Sequence, residues 1–199
     1  ATDAPDPPLF GVVSRLAEHK GIDWVCEAAE ALVGAGGQIA VLGAGDPAIE
    51  ARLGELAARQ PEKIAVRIGF DEKAAHRIGA ASDFFLMPSR VQPCGLSQLY
   101  SLRYGTIPIV RAVGGLDDTI VDYDAKTRTG SGFKFEECSA DALLAAMRRA
   151  VALYDHGDAL DALRRHVMRL DVSWDAAAKR YAALYATLHV EPADTDAGA

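Results

Sequence analysis

Asp83-Phe84-Phe85-Leu86-Met87-Pro88-Ser89-Arg90-Val91-Gln92-Pro93-Cys94-Gly95-Leu96-Ser97-Gln98-Leu99-Tyr100 decides how the chain is read. Phe84 to Met87 is apolar and short, as a buried strand requires. Leu96, Leu99, Leu102 and Arg103 then recur at helical spacing. Between them lie two prolines, a glycine and the small polar residues Ser89 and Ser97. The pattern predicts a strand, a tight loop, and a helix whose first turn begins near Gly95. A helix start carries unpaired amides and partial positive charge, which suits a phosphate. Gly95 lets a ligand come close to the backbone, and Ser97 adds a hydroxyl. Taken alone, the stretch also fits an ordinary strand-to-helix turn.

The same alternation extends in both directions. Strands are predicted at Leu9–Val13, Gln38–Leu42, Ile64–Ile68, Phe84–Met87 and Ile107–Val110, with a short one at Phe133–Phe135. Helices are predicted over Ile22–Val33, from Pro47 to about Arg59 behind an Asp46 N-cap, and over Lys73–Ala80. Gly114-Gly115 and the segment Leu116–Val121 follow the fifth strand. The remainder reads as helix at Ala140–Tyr154, Asp158–Leu170 and Trp174–Leu188, with Trp174 expected in the core. Residues 1–8 read as a linker, residues 9–188 as one domain, and residues 189–199 as a disordered acidic tail. Such alternation means a doubly wound parallel sheet of Rossmann-like α/β class, with additional helices at the C-terminal end. Right-handed crossovers put the strand C-terminal ends on one rim, where ligands of such sheets bind. The loops Ser14–Lys20, Gly43–Asp46, Gly69–Glu72, Ser89–Ser97 and Ala112–Gly115 would share that rim, and their convergence favours the phosphate reading.

Composition narrows the function. The chain has 199 residues, half of them apolar, and a net charge of −7. Duplex nucleic acid is therefore an unsuitable partner. No apolar run approaches a membrane span of ~20 residues. Cys26, Cys94 and Cys138 are sparse and odd in number, which fits reduced thiols and a cytoplasmic location. Neither CxxC nor HxxxH spacing occurs, so no metal site is expected. The chain opens without methionine, which points to a fragment or a processed chain.

Arg15 and Lys20 share one short loop, and two cations beside a helix start would neutralise a diphosphate. They are also compatible with solvated surface charge. Gly43-Ala44-Gly45 lacks the third glycine of a dinucleotide fingerprint and reads as a tight turn with a helix cap. Phe70 either stacks on a nucleobase or packs into the core. His76 reads as a surface or packing residue. His19 has no acidic partner nearby in sequence, and Cys94 reads as a small loop-filling thiol.

The combination of Val13-Ser14-Arg15-Leu16 with Lys20-Gly21, Leu42-Gly43-Ala44-Gly45-Asp46-Pro47, Pro88-Ser89-Arg90, Pro93-Cys94-Gly95-Leu96-Ser97-Gln98-Leu99-Tyr100, and Gly114-Gly115-Leu116-Asp117-Asp118-Thr119 resembles bacterial glycogen (starch) synthase. The resemblance runs from about Leu9 to Leu188 and covers the C-terminal Rossmann-like half of that two-domain GT-B fold. It implies retaining transfer of glucose from ADP-glucose to the non-reducing end of an α-1,4-glucan, without metal or other cofactor. By the same resemblance, Arg15 and Lys20 match the pyrophosphate cations, and Gly95, Leu96 and Ser97 the loop that holds the distal phosphate. Phe70 matches an aromatic position near the adenine; Gln92, Pro93, Cys94 and Gly95 match positions beside the donor sugar. Arg15, Lys20 and Gln92 would be catalytic. The family's N-terminal, acceptor-binding domain has no counterpart here, so this domain alone is expected to be inactive. One position departs from the family: Gln92 stands where a glutamate faces the donor sugar. It is open to three readings: a tolerated replacement, an inactivating one, or a swap that traps a ligand. A non-catalytic nucleotide- or glucan-binding module of the same descent is the alternative.

Overall fold

A computed structural model describes residues 6–188; the tail expected at 189–199, and most of the linker expected at 1–8, lie outside them. Six parallel strands, β1 (Leu9–Val13), β2 (Gln38–Gly43), β3 (Ile64–Ile68), β4 (Phe84–Met87), β5 (Ile107–Arg111) and β6 (Phe133–Phe135), form one sheet in the order β3-β2-β1-β4-β5-β6. The order reverses between β1 and β4, and crevices in such sheets open where it does. The seam itself is short. β1 matches β2 through five residue pairs, but β1 and β4 pair only at Phe10↔Phe84 and Gly11↔Phe85.

Helices α1 (Ile22–Gly34), α2 (Pro47–Arg59), α3 (Glu72–Ala81), α4 (Ser97–Tyr104), α5 (Gly114–Thr119), α6 (Ala140–Tyr154) and α7 (Gly157–Val167) belong with this sheet in a unit covering residues 1–169. The core has a physical centre in its aromatic strand residues. Phe10 and Phe84 stack at 5.1 Å between ring centroids, and Phe133 meets Phe84 edge-on at 6.3 Å. All three are fully buried, each contributing on the order of 2 kcal/mol through apolar burial alone. α1 buries Ile22, Val25, Ala29, Leu32 and Val33 at the three- and four-residue spacing that marked it in the sequence. Asp46 caps α2 by accepting from the Ala48 amide at 2.8 Å. At the foot of the seam, Asp83 accepts from the Leu9 amide at 2.8 Å and pairs with Arg164 of α7.

Several boundaries differ from the sequence reading. α4 begins at Ser97 because Gly95 is held in the preceding loop. α5 takes Gly114 and Gly115 into its first turn and stops at Thr119. Residues Glu18–Lys20, expected as open loop, form a 3-10 turn closed by Gly21 at φ +69°. Residues 170–199 form a separate unit whose described part carries α8 (Trp174–Thr187). Trp174, expected in the core, is 85% exposed. A unit of this size encloses little, so an indole on its first helical turn finds no interior. No helix among the described residues is long and apolar enough to cross a membrane.

Candidate functional site

The loops that leave β1 and β4 meet over the switch point. They enclose a cavity of about 260 Å³ lined by Arg15, Lys20, Ser89, Gln92, Gly95 and Ser97, among others. Leu96 also lines it. The structure therefore brings together Arg15, Lys20, Gln92 and the three residues of the Gly95 loop that the sequence singled out. Pro93 and Cys94 do not line this cavity. Both are exposed, and their backbone runs close to the start of α5: a Cβ on Gly115 would meet the Cys94 Cα at 2.8 Å, and one on Gly114 the Pro93 Cα at 3.5 Å. The Gly115 amide donates to the Gln92 carbonyl at 3.1 Å, which seats α5 against the same loop.

Inside the cavity, the Lys20 ammonium donates to Gln92 Oε1 at 2.6 Å, and the Ser89 hydroxyl donates to the same oxygen at 3.2 Å. An ammonium has only donors, so it fixes which end of the amide faces it. Among the described residues Gln92 Nε2 donates to no acceptor; it lies beside Gly95, where a carboxylate would have offered an acceptor. Partial burial, and secondarily the Arg15 charge, pull the Lys20 ammonium below its ordinary value of 10.5. Two cations that repel each other beside a neutral amide make a positive pocket, which an anion would relax.

α4 supplies the other wall. Leu96 is its N-cap, and no side chain caps the helix. Among the described residues, the Gly95, Leu96 and Ser97 amides make no hydrogen bond. Buried Gln98 fixes this turn from behind, donating through Nε2 to the Gly95 carbonyl at 2.8 Å and to Thr119 Oγ1 at 3.3 Å. A Cβ on Gly95 would come within 2.5 Å of Gln98 Oε1, so a side chain there would have to displace the Gln98 amide.

Val13 and Ser97 also line a second cavity of about 260 Å³, with Phe70, His76, Tyr100 and Tyr104. Phe70 is 95% exposed, which removes the core reading left open by its sequence. His76 Nδ1 lies 2.9 Å from the Tyr104 hydroxyl, a packing contact. Gly43 and Gly45 lie against the Ser14 and Leu16 backbones, respectively, as a tight turn should. His19 is exposed, and its carbonyl accepts from the Arg90 amide at 2.9 Å. Cys26, Cys94 and Cys138 are all unpaired.

The sequence reading gave no site role to Ser89, Gln98 or Arg111. It places Ser89 on the rim, two residues past β4, but without a role of its own. Arg111 donates through Nε to the Ser89 carbonyl at 2.9 Å and through Nη2 to the Arg90 carbonyl at 2.5 Å, a role no spacing announces.

Comparison with known proteins gives this geometry a family. The model for glycosyl transferases group 1 matches residues 2–164. The chain is 52% identical over 184 residues to a glycogen synthase of Anaeromyxobacter sp. (strain K) and 47% identical over 182 residues to one of Haemophilus influenzae (strain PittEE). These alignments cover 92% and 90% of this chain but 38% of each relative, so the chain spans under two-fifths of their length. Among solved structures, the catalytic domain of starch synthase IV from Arabidopsis thaliana, bound to ADP and acarbose, superposes with a TM-score of 0.80. Identity there is 33%, over 94% of this chain and 39% of that one. Sucrose-phosphate synthase from Thermosynechococcus elongatus gives a TM-score of 0.69 at 25% identity, over 92% and 46% of the two chains. With that family model matched over residues 2–164, most of its length, the chain belongs to the group 1 glycosyl transferases.

Proposed function

We propose that this chain is the donor-nucleotide-binding part of an α-1,4-glucan synthase. In this reading the enzyme transfers glucose from ADP-glucose to the non-reducing end of glycogen with retention. The observation that carries the reading is the single cavity lined by Arg15, Lys20, Gln92 and the Gly95 loop at the sheet's reversal point. The ADP bound to the starch synthase IV structure supports the nucleotide, and the glycogen synthase relatives support the sugar and the glucan.

Breaking the sugar–phosphate bond builds negative charge on the departing diphosphate and positive charge on the sugar ring. Arg15, Lys20 and the uncapped start of α4 would stabilise the diphosphate; donors aimed at developing charge are commonly worth about 3–4 kcal/mol each. Gln92 holds Lys20 in place but brings no charge to oppose the sugar cation. Phe70 would offer its exposed ring to the base. The acceptor glucan would be held by the part of the relatives' length that this chain does not span, so the domain alone would bind donor without transferring it.

Gln92 favours a second reading, a nucleotide-binding module that no longer catalyses transfer. Titration of the chain with ADP by calorimetry tests what both readings share. Binding that weakens strongly in Arg15→Ala and Lys20→Ala supports it; heat unaffected by either substitution rejects the cavity as the site. Transfer by the complete protein, with and without Gln92→Glu, separates enzyme from module.

A further inference from the structure

The two loops that form the cavity come from strands far apart in sequence, and something must fix their spacing. Arg90, in the β4–α4 loop, reaches back to Asp23 in the first turn of α1. Its two terminal nitrogens meet the two carboxylate oxygens at 2.7 and 2.6 Å. The guanidinium carbon lies 3.9 Å above the Trp24 ring, which fixes the plane of the fork. The same guanidinium donates to the Glu18 carbonyl. On the backbone, the Arg90 amide donates to the His19 carbonyl at 2.9 Å. One residue beyond Lys20, Gly21 presses so closely on the Pro88 carbonyl that no Cβ fits. Lys20 is thus held on either side by the opposite loop, and its ammonium falls on Gln92. Neither Arg90 nor Asp23 lines the cavity.

We propose that Arg90 and Asp23 are positioning residues for diphosphate recognition: their bidentate pair, stacked on Trp24, sets the distance between the Lys20 loop and the Gly95 loop. The proposal rests on the reading of this cavity as a diphosphate site. Most exposed ion pairs contribute little. This one is two-pronged, stacked and about three-quarters shielded on each side chain. A lysine at position 90 would keep the charge and lose the fork.

The test compares ADP with AMP, which lacks the distal phosphate, in titrations of the 199-residue chain. Asp23→Asn is nearly isosteric and keeps the fold if Arg90→Ala does not. Expected is a fall in ADP affinity of roughly tenfold or more in both variants, the scale of a charge-assisted hydrogen bond, with AMP affinity held within about twofold. The ADP-to-AMP ratio is the readout, because a merely structural defect would lower both affinities together. Equal losses for the two nucleotides, or an unchanged ratio while Lys20→Ala still weakens ADP, overturn the positioning role alone. Absence of ADP binding in the unsubstituted chain overturns the nucleotide reading and the proposal with it.

Discussion

Replacing Gly21 by alanine should damage stability and nucleotide grip together. Gly21 sits at φ +69°, where a side chain costs about 1–2 kcal/mol. The added methyl would also point at the Pro88 carbonyl, with the carbonyl carbon at 2.9 Å and Trp24 Cε3 at 3.1 Å. Overpacking of this kind costs about 1–3 kcal/mol. Together these give about 2–5 kcal/mol, or a fall in Tm of roughly 4–20 °C for a chain of this length. To relieve the clash the two loops must part by roughly 1 Å, and a displacement of that size can cost about 10²-fold at a reacting centre. Lys20 would then leave hydrogen-bond range of Gln92, now 2.6 Å away. The assay is thermal unfolding paired with ADP calorimetry. Gly54→Ala serves as control: Gly54 lies within α2 with no atom near its absent Cβ, and alanine there should add up to about 1 kcal/mol of stability. A Gly21→Ala protein that melts like Gly54→Ala and binds ADP as before would refute the reasoning that this contact helps hold the loop spacing.

Gln92→Glu would place a carboxylate against the Lys20 ammonium and cut the positive balance of the cavity. ADP affinity should fall severalfold in calorimetry, while transfer by the complete protein, on the proposed reading as a synthase, should rise by about 10²–10³, as for other electrostatic groups. The Lys20 ammonium is already pulled below 10.5, and a bound diphosphate would favour its charged form. ADP affinity should therefore be full near neutrality and decline as pH rises through that lowered value, earlier than for an ordinary lysine. Titrations between pH 7 and pH 10 check this, and Lys20→Arg should push the decline higher. Phe70→Ala should leave Tm unchanged, because the ring is almost wholly exposed. It should weaken ADP by about 1–3 kcal/mol if the ring stacks on the base, with no change in inorganic pyrophosphate binding.

The fold was legible because each strand and helix signals itself locally. Val12, Val41 and Ile109 are apolar where the strands need them, and Asp46-Pro47 announces α2 through a cap and a preset φ. The rim followed from strand direction alone, and with it the neighbourhood of Arg15, Lys20 and Gly95. What stayed hidden is non-local. Arg90 and Asp23 are 67 positions apart, and nothing in either one's surroundings specifies the other. Arg111 looks like a polar end to β5 until the carbonyls of Ser89 and Arg90 are seen beside it. Gln98 reads as an ordinary helix-surface amide, yet it is 1% exposed, because the Gly95 turn folds over it. Trp174 misled in the other direction, since hydrophobicity marks a preference for burial and not the presence of something to be buried against.

The short pairing between β1 and β4 has a consequence for how such a crevice changes over time. Above Gly11 and Phe85 no backbone ladder ties the two halves of the sheet. The width of the mouth is left to one backbone bridge, from the Arg90 amide to the His19 carbonyl, to the close approach of Gly21 and Pro88, and to side chains, chiefly one arginine, one aspartate and an indole. Drift at those three positions could widen or narrow it in small steps while every strand keeps its neighbours. A lineage could thus retune its hold on a nucleotide without passing through an unfolded intermediate form.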